Sequence, residues 1–252
     1  MPQAGPNPID PGRQPAGGPG MGTDSSGFTA DMSSESTVAP RQPPKQDGLP
    51  SRSERRLTEF RAIVVGGSAG GSAALQAMLA PLPADFPLPI LVVNHLHVTD
   101  DGRFAERLGR TLRLAVCEAC DKQPIVPPGL YVAPANYHML IERDETLALS
   151  VDPKVNWARP SLDVTFESAA RVWRERLICV VLSGANSDGA AGARLVRELG
   201  GTVIAQEPGT AEHTVMPMAA IEQAGITTVL PPEKIGELLL ARCEIEQWKP
   251  AR

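Results

Sequence analysis

A serine in a glycine-rich turn is the first residue of this chain to suggest chemistry: Ser68, in the segment AIVVGGSAGG. Gly66-Gly67-Ser68-Ala69-Gly70 satisfies G-x-S-x-G, in which a sharp strand-to-helix turn exposes a nucleophilic hydroxyl. Small neighbours let the backbone bend there, and amides at the start of the following helix can stabilise an oxyanion. The same glycines fail as a dinucleotide fingerprint. With Gly66 as the first glycine, Ser68 stands where the second should be, and the next strand ends in Asn94 and His95 rather than in an acidic residue. On its own the pentapeptide is equally compatible with a turn that needs glycine for steric reasons.

A serine hydroxyl is a weak nucleophile until a base takes its proton. The chain has four histidines, His95, His97, His138 and His213. His95 ends the apolar run PILVVNH, which the usual winding lays beside the strand that carries Ser68. His97, two residues on, suits a solvated loop. His138, in ANYHML, suits a structural hydrogen bond. His213, in EPGTAEHTVMP after another apolar run, competes with His95. Asp188, in GANSDGAAG after LICVVLSG, is the candidate to orient the base. Its place at a helix start also suits a first-turn carboxylate that satisfies orphan N–H groups. Residue types and spacing leave two triads open: Ser68–His95–Asp188 and Ser68–Asp188–His213.

The elements that must position these groups follow from the periodicity. Short apolar runs, AIVVG (62–66), PILVVNH (89–95), GLYVAPA (129–135), TLALSV (146–151), LICVVLSG (177–184), GTVIAQE (201–207) and ITTVLP (226–231), read as strands. SAALQAMLAPL, GRFAERLGRTL, SLDVTFESAARVWRE, DGAAGARLVRELG, MPMAAIEQAG and KIGELLLARCEIEQ read as helices between or after them. Near-continuous apolar strands alternating with helices predict an α/β fold: a three-layer, doubly wound, mostly parallel sheet with helices on both faces, of Rossmann-like topology. Ligands of such sheets bind beyond the carboxyl ends of the strands, where Ser68 falls.

Residues 1–55 are crowded with Pro, Gly, Ser and Gln and carry no apolar periodicity. They read as a disordered tail, leaving residues 56–252 as the folded domain. Hydrophobic residues make up 42% of the chain but aromatics only 4%, so the core must rest on Val, Ile, Leu and Ala. A net charge of −5 gives no electrostatic footprint for nucleic acid. No apolar run reaches the length of a membrane span, and the N-terminus lacks the pattern of a secretory signal, so a cytoplasmic location is expected. Cys117 and Cys120 form a C-x-x-C without a second Cys/His pair at zinc spacing. They read as free thiols near a loop, and Cys179 reads as a buried small hydrophobe.

AIVVGGSAGG, VVNH, GLYVAPANYHM, NWARPSLDVTF, VVLSGANSDGAAG and VMPMAAI, in this order and spacing, resemble the catalytic domain of chemotaxis protein-glutamate methylesterases, the CheB family. The resemblance spans about Ala62 to Leu240. It implies a Ser68–His95–Asp188 triad and hydrolysis of glutamate methyl esters on methyl-accepting chemoreceptors, often with deamidation of receptor glutamines. It implies neither a cofactor nor a metal. Three neighbours depart from the family: Ala69 stands where Thr is usual after the nucleophile, Asn94 where Gln precedes the histidine, and Ala185 where Met is usual. The backbone of Ala69 and Ala185 is where the oxyanion would be held. Family enzymes are commonly fused to a receiver domain. Residues 1–55 cannot be one, so a stand-alone catalytic domain is expected.

Overall fold

The computed structural model describes residues 59–97 and 99–242. The expectations for residues 1–55, and for the end of the last helix past Arg242, lie outside these.

Seven strands form one parallel sheet: β1 (Ala62–Gly67), β2 (Ile90–Asn94), β3 (Val116–Glu118), β4 (Leu130–Val132), β7 (Leu177–Val181), β8 (Thr202–Gln206) and β9 (Thr228–Leu230). Their order is β3-β4-β2-β1-β7-β8-β9. β1, β2, β7 and β8 are buried along their whole length, which is why they read as continuous apolar runs rather than as alternations. Strands β5 (His138–Ile141) and β6 (Leu147–Ser150) form a separate antiparallel ribbon. Sequence periodicity showed β6 but neither β5 nor the short edge strand β3, in which Cys117 lies.

The helices are α1 (Gly71–Leu79), α2 (Arg103–Thr111), α3 (Leu162–Trp173), α4 (Ala190–Glu198), α5 (Val215–Ala224) and α6 (Pro232–Arg242). Successive residues of β1 point to opposite faces. Ile63 and Val65 join Leu75, Met78, Phe104, Leu108, Ile235 and Leu239 in the core under α1, α2 and α6. Ala62 and Val64 join Phe166, Ala170, Trp173, Val196 and Ala220 in the core under α3, α4 and α5. The predicted three layers are present. None of the described helices is long and apolar enough to cross a membrane.

The winding runs outward from β1 to β2 on one side, and from β7 to β8 and β9 on the other. The order therefore reverses at β1/β7, the place where open parallel sheets leave a crevice at their carboxyl ends. Ser68 follows β1, Asp188 follows β7, and His95 follows β2.

Candidate active site

Parallel register carries the first two groups to the same level. Gly67 on β1 pairs with Asn94 on β2, and one step further the His95 N–H donates to the Gly67 carbonyl at 3.2 Å. On the other flank the Ser68 N–H donates to the Ser183 carbonyl at 2.9 Å. The turn is held again by the Ser183 hydroxyl, which donates to the Ala69 carbonyl at 2.8 Å and accepts the His213 N–H at 3.0 Å. Ser183 is itself buried, and its N–H is fixed by the Gln206 side chain at 2.8 Å. Gly70, the residue before α1, has φ +72°, which favours glycine. A Cβ there would also lie 2.7 Å from the Ser183 hydroxyl oxygen. Gly184 lies close against Ser68: a Cβ would stand 3.1 Å from Ser68 Cβ and 1.8 Å from Met216 Sδ.

His95 Nε2 meets Asp188 Oδ2 at 2.8 Å. The imidazole is 14% exposed and the carboxylate fully buried, so the pair lies at the boundary between core and solvent. Asp188 does not cap its own helix, as its position in the sequence suggested. The residue before α4 is Gly189, and no side chain caps it. The carboxylate instead serves α3: Oδ2 accepts the Leu162 N–H at 2.6 Å, and Oδ1 accepts the Ser161 hydroxyl at 2.7 Å and the Asp163 N–H at 3.2 Å. The two N–H groups are orphan donors of the first turn, supplied with an acceptor from another part of the chain. Burial pushes the Asp188 carboxyl upward. The bonds from His95, Leu162 and Ser161 outweigh it and hold the group below the ordinary carboxylate range.

The other histidines stand apart from this carboxylate. The His213 ring is half-exposed with its Nε2 3.6 Å from Glu212 Oε1, while its backbone carbonyl accepts the Gly184 N–H at 3.1 Å. His97 is exposed and bonded to Thr99. His138 is buried, with Nε2 donating to the Pro153 carbonyl at 3.1 Å and Nδ1 accepting the Ser161 N–H at 3.2 Å. Of the neighbours singled out, Ala69 and Ala185 flank the turn and the β7 exit, and neither amide N–H has an acceptor among the described residues. Asn94 is buried at the end of β2. Cys117 and Cys120 are free and exposed, and Cys179 is free and buried, where burial pushes its thiol well up.

Sequence reasoning missed Ser161, Ser183, Asn156 and Asp163. The first two hold the site through bonds between segments far apart in the chain. The Asn156 amide donates to Asp163 Oδ2 at 2.8 Å and to Asp188 Oδ1 at 3.2 Å. All but Ser183 lie in NWARPSLDVTF, a segment whose similarity was visible but whose geometry was not.

The family model described as CheB methylesterase matches residues 63–239. Proteins from Symbiobacterium thermophilum and Caulobacter vibrioides, each named protein-glutamate methylesterase/protein-glutamine glutaminase, are 37% and 38% identical over 77% and 81% of this chain. The match spans 52% and 60% of those longer proteins. A shorter relative from Leptospira interrogans, provisionally given the same name, is 44% identical over 72% of this chain and 94% of its own length. The crystal structure of the Thermotoga maritima CheB methylesterase catalytic domain superposes with a TM-score of 0.69 at 35% identity, covering 72% of this chain and 98% of that one. This chain belongs to the CheB methylesterase family.

Proposed function

We propose that the chain is a protein-glutamate methylesterase that hydrolyses glutamate methyl esters on the cytoplasmic domains of methyl-accepting chemoreceptors, with Ser68, His95 and Asp188 as its catalytic residues. The observation that carries this reading is the buried Asp188 bonded to His95 at the sheet's crevice, with His95 leaving β2 at the same register level as Ser68 leaves β1, in a chain of this family.

The ionised carboxylate of Asp188 favours the tautomer with hydrogen on His95 Nε2 and leaves the Nδ1 lone pair as the base. The Ser68 hydroxyl attacks the ester carbonyl carbon while Nδ1 takes its proton, and Asp188 stabilises the imidazolium that forms. The N–H groups of Ala69 and Ala185 receive the oxyanion, and a backbone donor at each position tolerates the loss of the family's usual side chains. The imidazolium then protonates the departing methoxide, and methanol leaves. Water, deprotonated by the same nitrogen, attacks the acyl-serine and returns Ser68 with a free glutamate carboxylate. Glutamine deamidation would follow the same course with ammonia as the leaving group.

The test is methanol release from receptor carrying labelled methyl groups. The wild type should release label catalytically and Ser68→Ala should not. Equal release by the two proteins would remove the enzyme reading.

A further inference from the structure

The starts of α3 and α4 exchange carboxylates. Asp188, just before α4, accepts the first-turn N–H groups of α3. Asp163, in the first turn of α3, accepts the Gly192 N–H of α4 at 2.7 Å on Oδ1, and the Gly189 N–H as well. The exchange needs the helices close. Gly192 provides that approach, since a Cβ there would stand 2.6 Å from Phe166 Cβ. Two carboxylates drawn together in this way repel each other, and one side chain lies between them: the Asn156 amide, which donates one hydrogen to each.

Asn156 comes from outside both helices. It occupies a tight hairpin turn in which Val155 and Ala158 exchange backbone bonds of 3.2 and 2.9 Å. Asn156 and Trp157 are both left-handed there, with φ 50° and 60°. Asparagine tolerates that region and tryptophan does not, so the turn holds its conformation against a local preference. The conformation places the Asn156 amide against the two carboxylates.

We propose that Asn156 and Asp163 are positioning residues of the triad: the Asn156 amide, anchored on Asp163 Oδ2, fixes the Asp188 carboxylate in the plane that presents Oδ2 to His95 Nε2. For its kinetic consequence this rests on the esterase reading; the geometric claim stands apart from it. The charged and titratable surroundings are few. Asp163 faces Asp188 and, through it, His95. The start of α4 contributes N–H donors. From β5, His138 reaches the same helix start with both ring nitrogens bonded. Burial, with Asp188 close by, raises the Asp163 carboxyl to about 6, as expected of the second charge in a shared site.

Two variants separate positioning from mere structural support. Asn156→Gly removes the amide while glycine keeps the left-handed turn at no steric cost. Asp163→Asn keeps an oxygen for the Gly192 N–H but removes the charge and sets amide against amide at Asn156. The first measurement needs no catalysis: the low-field proton of His95 Nε2–H, followed by ¹H–¹⁵N NMR and assigned by its loss in His95→Ala. It should shift or broaden in both variants and stay unchanged in a control such as Lys234→Ala, an exposed side chain of α6. The second is the kinetics of ester hydrolysis. For Asn156→Gly, kcat should fall about tenfold or more with KM within twofold. The acid limb of the kcat/KM profile should move in opposite directions, up for Asn156→Gly, which strips a donor from Asp188, and down for Asp163→Asn, which removes a negative charge. An unchanged Nε2–H signal in both variants, unaltered kcat, or limbs moving together would each overturn the proposal. If the wild type hydrolyses nothing, the esterase reading fails and the NMR result alone decides the geometry.

Discussion

Replacing Asp188 by Asn changes one oxygen to an NH₂ group and almost no volume, so its cost isolates the carboxylate. Asp188 accepts from His95, Ser161, Leu162, Asp163 and Asn156, and its side chain is fully buried. An amide has one accepting arm. With its nitrogen in the place of Oδ2, it faces the Leu162 N–H; in the place of Oδ1, it faces the Asp163 N–H and the Asn156 amide. Either way a donor meets a donor in the core. A lost cap is worth about 1–2 kcal/mol, and a buried donor left without an acceptor about 1–3 kcal/mol. The Ser161 hydroxyl can rotate to accept, which recovers part of this, so a loss of about 2–4 kcal/mol is expected. For a domain of this size that lowers Tm by roughly 5–15 °C, which scanning calorimetry measures directly. The kinetic loss has a separate cause. The nitrogen in the place of Oδ2 is the orientation that opposes one backbone N–H (Leu162) instead of the Asp163 N–H and the Asn156 amide. His95 Nε2 then faces an amide N–H and becomes the acceptor, and the proton moves to Nδ1, the nitrogen that takes the Ser68 proton in the proposed mechanism. A fall in kcat of about 10⁴ follows, as for the orienting aspartate of other Ser-His-Asp enzymes. Methanol release at 20 °C, well below the variant's Tm, keeps the two effects apart. Turnover within tenfold of wild type would refute the role given to Asp188, and an unchanged Tm would refute its role as the cap of α3.

Gly184→Ala sets a methyl group against Met216 Sδ and Ser68 Cβ. It should cost about 1–3 kcal/mol in urea denaturation and displace the nucleophile enough to lower kcat. Trp157 is 92% exposed at φ 60°, so Trp157→Gly relieves backbone strain without opening a cavity. Thermal unfolding should show a gain of about 1 kcal/mol. Any marked loss would mean that the indole packs on something after all. Asp163 and Asp188 should bend the pH dependence of stability in opposite senses. Asp163 is raised to about 6 in the fold, so between about pH 4 and 6 the folded protein holds a proton that the unfolded chain has released. That contribution falls as pH rises through the window, and Asp163→Asn should abolish the slope in urea titrations. Asp188 is lowered, so its contribution is present above its unfolded value and is lost as pH falls below it.

Burial decided which parts of the fold were legible in the sequence. β1, β2, β7 and β8 are covered on both faces, so every position is apolar and the runs could not be mistaken. β3 is a three-residue edge strand with its middle residue, Cys117, exposed, and β5 belongs to a ribbon outside the main sheet. Neither leaves a long enough pattern to read. Ser68 and His95 were legible as neighbours because parallel register is a local consequence of two adjacent strands. The choice between His95 and His213 was not open to periodicity, because it depends on where the loop after β8 folds. That loop brings the His213 backbone to the Ser68 turn, where the carbonyl and N–H meet Gly184 and Ser183, while the ring is not hydrogen-bonded to Asp188 among the described residues.

Asp188 shows why the rest stayed hidden. Its position in GANSDGAAG correctly suggested a carboxylate at a helix start, but the donors it satisfies belong to a helix more than twenty residues earlier in the chain. A capping rule written for near neighbours has no term for that. The consequence reaches function. Because the same two oxygens complete α3 and bond His95, Asp188 cannot turn away from the imidazole without leaving the start of a packed helix without an acceptor. In the proposed mechanism the start of α3 is therefore part of the scaffold that holds the triad. A change at Ser161, which touches neither Ser68 nor His95, belongs with changes to the triad: Ser161→Ala should lower kcat and Tm together, because both depend on the same carboxylate.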